Sequence, residues 1–216
     1  MEKRRVLTVL RSGGEYMPWH VHALQRQVKE HAPDARFQCL TDMDIPGVDC
    51  IPLLHGWPGW WAKIEMLRAD IGGGFLYTDL DNVILGPIEE FFRRHKYTTQ
   101  RGGWNALAYI PEGGAQEYVE EFKHAPGEHI LQHAPDGVQN KPFGDAGFMA
   151  ARMSGPCWED VLPGAVVNIC EIHSRAPWPF KRMRNPLPPE TKVLLCSAMY
   201  GRPWQMPEFL GLYVED

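Results

Sequence analysis

No run of 18 apolar residues occurs in this 216-residue chain, so no membrane-spanning helix is expected. The opening Met1-Glu2-Lys3-Arg4-Arg5 is followed by only five residues before Arg11, too few for the core of a secretory signal. Cys39, Cys50, Cys157, Cys170 and Cys196 form no Cys-x-x-Cys pair, which argues against a zinc ribbon or a thioredoxin-like site. Of these, Cys39, Cys170 and Cys196 lie in apolar runs and are read as buried thiols. There is no Gly-x-x-x-x-Gly-Lys-Ser/Thr loop for a P-loop ATPase and no Gly-x-Ser-x-Gly elbow for the commonest hydrolases. Positive charge is outnumbered, with 22 Lys and Arg against 27 Asp and Glu. The net charge of −5 argues against a chain-wide surface for nucleic acid or for an anionic membrane. A local cluster, Arg175, Lys181, Arg182 and Arg184, reads as a solvated loop in preference to an acceptor or phosphate-lipid contact. Internal repeats and low-complexity tracts are missing too. What remains is a chain of ordinary globular composition, expected in the cytoplasm, long enough for one α/β domain with a full core or for two small ones.

One segment stands out, Gly72-Gly73-Gly74-Phe75-Leu76-Tyr77-Thr78-Asp79-Leu80-Asp81. Phe75-Leu76-Tyr77 reads as a buried strand entered through glycines. It ends on aspartates at i and i+2, which point the same way on a strand. Asp79 and Asp81 would then aim two carboxylates at one point. Like charges that close raise each other's pKa unless a cation lies between them. Hard oxygen ligands with water-filled positions suit Mg²⁺ or Mn²⁺ shared with a substrate diphosphate. The competing reading is a solvated Asp-rich turn that includes Asn82.

The surrounding pattern is regular. Residues 6–10 read as a strand broken by Arg11-Ser12-Gly13-Gly14, and Pro18 opens a helix with Val21, Leu24 and Val28 on one face. Residues 37–40 form a second strand closed by Thr41-Asp42, and 48–54 contain a third. A helix over 60–69, with Trp61, Ile64, Leu67 and Trp60 inward, leads into the Asp79 strand. This alternation predicts a mostly parallel sheet with helices on its faces and ligands outside the carboxyl ends of its strands. Arg11, Ser12, Thr41, Asp42, Asp79 and Asp81 then share one rim. Further on, 89–95 reads as a short helix, 106–110 as a strand, 115–123 as an amphipathic helix and 192–197 as a last strand. After Gly127, Pro, Gly, His and Asn abound, with five prolines in 177–189, and this region reads as loops and short elements folded over the rim. His20 and His22 are read as solvated helix histidines, and His129 and His133 as structural or surface groups. Trp57, Trp60 and Trp61 read as core and helix-docking aromatics, with room for one to line an acceptor groove.

Four stretches in this order support a family reading. They are Arg11-Ser12-Gly13-Gly14 with the later Leu40-Thr41-Asp42; Pro58-Gly59-Trp60-Trp61-Ala62-Lys63-Ile64-Glu65-Met66-Leu67-Arg68; Phe75-Leu76-Tyr77-Thr78-Asp79-Leu80-Asp81-Asn82-Val83-Ile84; and Tyr200-Gly201-Arg202-Pro203-Trp204. Together they resemble the nucleotide-sugar glycosyltransferases of GT-A fold, of the small bacterial and phage type related to the retaining glycogenin-like and lipopolysaccharide galactosyltransferase-like enzymes. The resemblance implies a Rossmann-like α/β domain over 1–216, with 1–100 as the nucleotide- and metal-binding half and 101–216 as the acceptor and lid half. It implies a UDP-sugar donor, Mn²⁺ or Mg²⁺, a glycan or glycoconjugate acceptor, and transfer with retention.

Residue roles follow from the same resemblance. Asp81 would bind the metal, and Asp79 the metal or the donor ribose. Lys63 would contact the donor sugar or diphosphate. Thr8, Leu10, Arg11 and Asp42 would cradle uridine and ribose. Asp145 would face the reacting sugar, its competing reading being a helix cap or turn after Gly144. Gly201 and Pro203 would close over the diphosphate, with Arg202 adding positive charge. Two positions depart from the family. Tyr200 stands where relatives place a metal-ligating histidine, and a phenol with pKa about 10 is a poor metal ligand at pH 7, although it can hydrogen-bond a phosphate. Ala146 replaces a glutamine. These departures motivate an alternative, a catalytically impaired nucleotide-sugar-binding protein. A third reading, a metal-dependent phosphoesterase or nucleotidyltransferase, calls for more converging carboxylates than the sequence offers. The sugar, the acceptor, the oligomeric state and any peripheral membrane association stay open.

Overall fold

The computed structural model describes residues 4–113, 115–136, 141–172, 186–196 and 201–213. The first half contains β1 (Arg5–Leu10), α1 (Pro18–His31), β2 (Arg36–Thr41), β3 (Asp49–Pro52), β4 (Phe75–Thr78) and β5 (Val83–Ile84). The second half adds β6 (Leu107–Ile110), α2 (Gln116–His124), α3 (Pro126–Gln132), α4 (Gly144–Ala150), α5 (Trp158–Val161), β7 (Val166–Asn168), α6 (Ile169–Ile172) and β8 (Val193–Leu195). The main sheet has the order β3-β2-β1-β4-β6. Its first four strands are parallel, and β6 pairs antiparallel with β4, Thr78 opposite Leu107. A smaller sheet, β5-β8-β7, joins the two halves of the chain.

Alternation along the strands builds two apolar layers. Val6 and Leu10 of β1 and Leu76 of β4 face α1, where Val21, Leu24 and Val28 recur on one side of the helix. Leu7 of β1 and Phe75 and Tyr77 of β4 face the other way, onto Trp61, Ile64 and Leu67, and onto Phe122 of α2 and Phe148 of α4. The sheet is therefore covered on both faces, as a mostly parallel sheet requires. The expected α/β architecture holds.

Several details differ from the sequence reading. The helix read over 60–69 is a 3₁₀ segment, Gly59–Leu67. Trp61, Ile64 and Leu67 are spaced by three, which a three-residue turn stacks on one side. Trp60 then falls outside the core and is 50% exposed. Residues 89–95 likewise contain only a 3₁₀ turn, Glu89–Phe92. Cys170 is exposed while its neighbour Ile169 is buried. His20 is not solvated, being 1% exposed. Its Nδ1 accepts the Met17 N–H at 2.9 Å at the start of α1, and its ring packs among Tyr16, Trp19 and Trp204. His129 and His133 pack against Phe148, in keeping with a structural role. The basic cluster from Arg175 to Arg184 lies outside the described residues.

Candidate active site

The connections out of β1 and into β4 diverge, because β2 and β3 are added on one side of β1 and β4 on the other. In an open parallel sheet that divergence leaves a crevice at the carboxyl ends of the two central strands. A cavity of about 620 Å³ lies there, within the range of small-molecule sites. Its wall takes Leu10 and Arg11 from the end of β1, Asp79 and Asp81 from beyond β4, Asn105 from the approach to β6, Asp145 from α4, and Arg202 from the C-terminal segment.

The acidic pair sits in a turn rather than on the strand itself, since β4 stops at Thr78. Asn82 fixes that turn. It is fully buried and its amide donates to Thr78 Oγ1 at 3.1 Å and to the Ala106 carbonyl at 2.7 Å. The Asp79 N–H reaches the same carbonyl at 2.8 Å. Asp79 Oδ1 meets Lys63 Nζ at 2.7 Å and accepts the Tyr77 hydroxyl. Asp81, 4% exposed, is ion-paired with Arg202, whose guanidinium also engages Glu15. Burial, then the neighbouring Asp79 charge, pushes Asp81 up to about 6 in spite of Arg202.

Lys63 joins the acidic pair to α4. Its ammonium lies 3.6 Å from Asp145 Oδ2, which also accepts the Asn105 amide at 2.7 Å. Burial would lower the Lys63 pKa, but Asp145 and then Asp79 outweigh it and hold the group above its ordinary value. Burial raises Asp145 against the pull of Lys63. Asp145 is therefore neither a helix cap nor an isolated turn residue. It stands in the first turn of α4 with its carboxylate turned onto Lys63 and Asn105.

The other sequence candidates are distributed unevenly. Asp42 lies beside the cavity, where it accepts Ser12 N–H at 2.8 Å and Ser12 Oγ–H at 2.6 Å and faces Arg11 Nε at 3.5 Å. Although its slight burial raises the carboxyl, the Ser12 bonds hold it below the usual range. Thr8 is fully buried in the sheet opposite Cys39, one residue short of the wall, which begins at Val9. Gly201 is buried and is not on the wall, and Pro203 opens a 3₁₀ turn beyond it. Tyr200 lies outside the described residues.

Several wall or support residues were not singled out as site residues from the sequence. Tyr16 and Tyr77 are neutral phenols, since burial first and then Asp81 (for Tyr16) or Asp79 (for Tyr77) raise their pKa. Tyr77 lies two residues before Asp79, a spacing that could have flagged it. Nothing in the sequence marks Tyr16, Trp104, Asn105 or Phe143, because they arrive from three separate parts of the chain, Trp104 and Asn105 together from the approach to β6.

The donor set suits a hard cation of limited coordination. Among the described residues, four carboxylates on the wall, Glu15, Asp79, Asp81 and Asp145, face three cations, Arg11, Lys63 and Arg202. A diphosphate entering this set of described charges is favoured by added positive charge. Among the described residues no three His, Cys, Asp or Glu side chains converge as a dedicated cage. Two carboxylates with water and phosphate oxygens completing the shell is the way Mg²⁺ and Mn²⁺ are commonly held. Asp79 and Asp81 are the wall residues that could hold such an ion, each also paired with a cation of the protein, Lys63 and Arg202.

No family model matches the sequence, and no curated protein matches it. Solved structures do. The apo-form glycosyltransferase GlyE of Streptococcus pneumoniae TIGR4 superposes with TM-score 0.63 at 15% identity, over 100% of this chain and 61% of GlyE. The chain thus spans less than two thirds of GlyE. The galactosyltransferase LgtC, solved with donor and acceptor sugar analogs, superposes with TM-score 0.59 at 13% identity, over 97% of this chain and 95% of LgtC. No helix among the described residues is long and apolar enough to cross a membrane. With its strand order, its crevice at the ends of β1 and β4 and these likenesses, the chain has the GT-A fold of the nucleotide-sugar glycosyltransferases.

Proposed function

We propose that this chain is a glycosyltransferase that moves a sugar from a nucleoside diphosphate, UDP being favoured, to a hydroxyl of a glycan or glycoconjugate, with residues 1–216 acting as one domain. One observation carries the reading. At the switch point of a GT-A sheet, two adjacent carboxylates are each met by a cation, Lys63 on Asp79 and Arg202 on Asp81, with Asp145 beside Lys63. That arrangement suits a leaving diphosphate next to a sugar. The likeness to LgtC over nearly its whole length supports the same reading.

In the proposed reaction the bond between the anomeric carbon and the β-phosphate oxygen breaks, and its electron pair goes to that oxygen. Lys63 and Arg202 donate hydrogen bonds to the charge that develops there, Arg202 turning from Asp81 to the diphosphate. The acceptor oxygen bonds to the anomeric carbon from the side the diphosphate leaves, giving retention, and its proton passes to the departing diphosphate. Asp145, held by Asn105, orients the sugar. A divalent cation held by Asp79 and Asp81 would supply Lewis-acid neutralisation of the same charge. Arg11 and Asp42, at the ends of β1 and β2, would face the nucleoside, with Leu10 beneath it.

Calorimetric titration with UDP, with and without Mn²⁺, tests this reading, followed by screening of UDP-sugars for UDP release. Wild-type protein is expected to bind UDP about tenfold more tightly with Mn²⁺, and Asp81→Ala to lose that gain. Undiminished Mn²⁺ dependence in Asp81→Ala would refute the metal assignment, and no UDP binding in either condition would refute the donor class. Ala146 favours the second reading, a donor-binding protein without transfer, because it brings only a methyl group to the wall. In that case Ala146→Gln should create UDP release where wild type has none.

A further inference from the structure

Six large apolar side chains are exposed among the described residues, and just two of them, Trp60 and Phe143, lie on the cavity wall. Their rings meet edge to face at 6.2 Å between centroids. Phe143 in turn stands perpendicular to Trp104 at 5.5 Å. Three aromatic rings from separate parts of the chain thus form one continuous shelf. Trp60 comes from the 3₁₀ segment, Trp104 from the approach to β6, and Phe143 from the residue that precedes α4.

The shelf is built rather than incidental. Gly144 follows Phe143 with φ +62°, a conformation open to glycine. A Cβ at Gly144 would lie 2.6 Å from Trp60 Nε1, so the indole rests directly on the glycine backbone. Burying an aromatic edge on a bare backbone fixes the ring's position while leaving half of it open to solvent. Asn105 directly follows Trp104, Asp145 lies two residues after Phe143, and the Asn105 amide donates to Asp145 Oδ2 at 2.7 Å.

The sheet determines what this shelf can hold. Along the carboxyl edge, Arg11 and Asp42 mark the ends of β1 and β2, Asp79 and Asp81 follow β4, and Trp104 precedes antiparallel β6. Trp104 therefore lies on the β6 side of the acidic pair, away from the β1 and β2 rim, and Phe143 and Trp60 join it through their ring contacts. A hexopyranose has an apolar C–H face and a hydroxyl edge. An exposed aromatic shelf bordered by a buried carboxylate and amide matches both. We infer that Trp60, Phe143 and Trp104 form the acceptor subsite, stacking a pyranose ring whose hydroxyls face Asp145. This rests on the glycosyltransferase reading and names the acceptor side of the same cavity.

Saturation-transfer NMR tests it, with methyl β-D-galactopyranoside, methyl α-D-glucopyranoside and lactose as probes at about 10 mM, a concentration suited to weak stacking. UDP is titrated separately by calorimetry. In wild type, ring C–H protons of at least one glycoside should receive saturation. Trp60→Ala and Phe143→Ala should each weaken that signal about fivefold, several times more than either changes the UDP affinity, while Trp60→Phe retains most of it. Equal glycoside signals in wild type and both alanine variants would overturn the inference. So would UDP affinity falling more than glycoside contact, or UDP binding with no glycoside contact at all. Glycoside contact on the shelf without UDP binding would uphold the subsite and overturn the donor reading instead.

Discussion

The 3₁₀ segment that carries Trp60 and Lys63 is held internally by i→i+3 bonds, whose geometry is poorer than an α-helix's, and Glu65 ties it to the chain that follows β3. That side chain is wholly buried. Its oxygens accept the Leu54 N–H at 2.6 Å and the His55 N–H at 2.9 Å, and it meets Arg68 at 2.6 Å. Glu65→Ala removes two backbone hydrogen bonds to a charged acceptor, about 1.5 kcal/mol each. Arg68 keeps Asp70, with both contacts at 3.0 Å, and the Pro52 carbonyl at 2.9 Å, so its lost partner adds only about 1 kcal/mol. The expected loss is about 4 kcal/mol, or about 2 kcal/mol for Glu65→Gln, which keeps one acceptor oxygen. Urea unfolding followed by tryptophan fluorescence reads this directly. With a slope near 2 kcal/mol/M, the Glu65→Ala midpoint should fall by about 2 M. A loss below about 1 kcal/mol would refute the idea that Glu65 anchors the segment.

Lys63→Ala should cut UDP release from a UDP-sugar about 10²–10³-fold, because a preorganised donor at the leaving group is lost. A rate within threefold of wild type (about 0.65 kcal/mol) would remove Lys63 from the reaction. Burial holds His20 down to about 4, against an ordinary value of 6.5. The unfolded chain therefore binds the extra proton first. Stability from this group is complete above about pH 6.5 and is lost as pH falls toward 4, by up to about 3 kcal/mol. Urea midpoints for wild type and His20→Gln should converge across that window, and parallel curves would contradict the burial of a neutral imidazole.

Much of the fold was legible in the order of the segments. Alternating apolar strands and one strongly periodic helix, 18–31, identified a parallel sheet with both faces covered. The Asp79-x-Asp81 pair was legible for the same local reason, since both residues leave one buried strand. Where local periodicity was ambiguous, the reading failed. Trp61, Ile64 and Leu67 suit either an α or a 3₁₀ turn, and the choice placed Trp60 outside the core. His20 carries no sequence mark of burial, because Tyr16, Trp19 and Trp204 reach it from both ends of the chain.

The sequence by itself determined a mostly parallel sheet, a rim at the carboxyl ends of its strands and two carboxylates on that rim, because those depend on contiguous apolar patterns and on what ends them. The strand order that opens the crevice between β1 and β4 came from the structure. Tertiary structure alone decided which cation meets which carboxylate. Arg202 reaches Asp81 across 121 positions and Asn105 reaches Asp145 across 40. It likewise assembled Trp60, Trp104 and Phe143 into one surface. Contacts so distant leave no periodic trace in the chain, since their free energy is realised only once the sheet has brought the separate loops to a common edge.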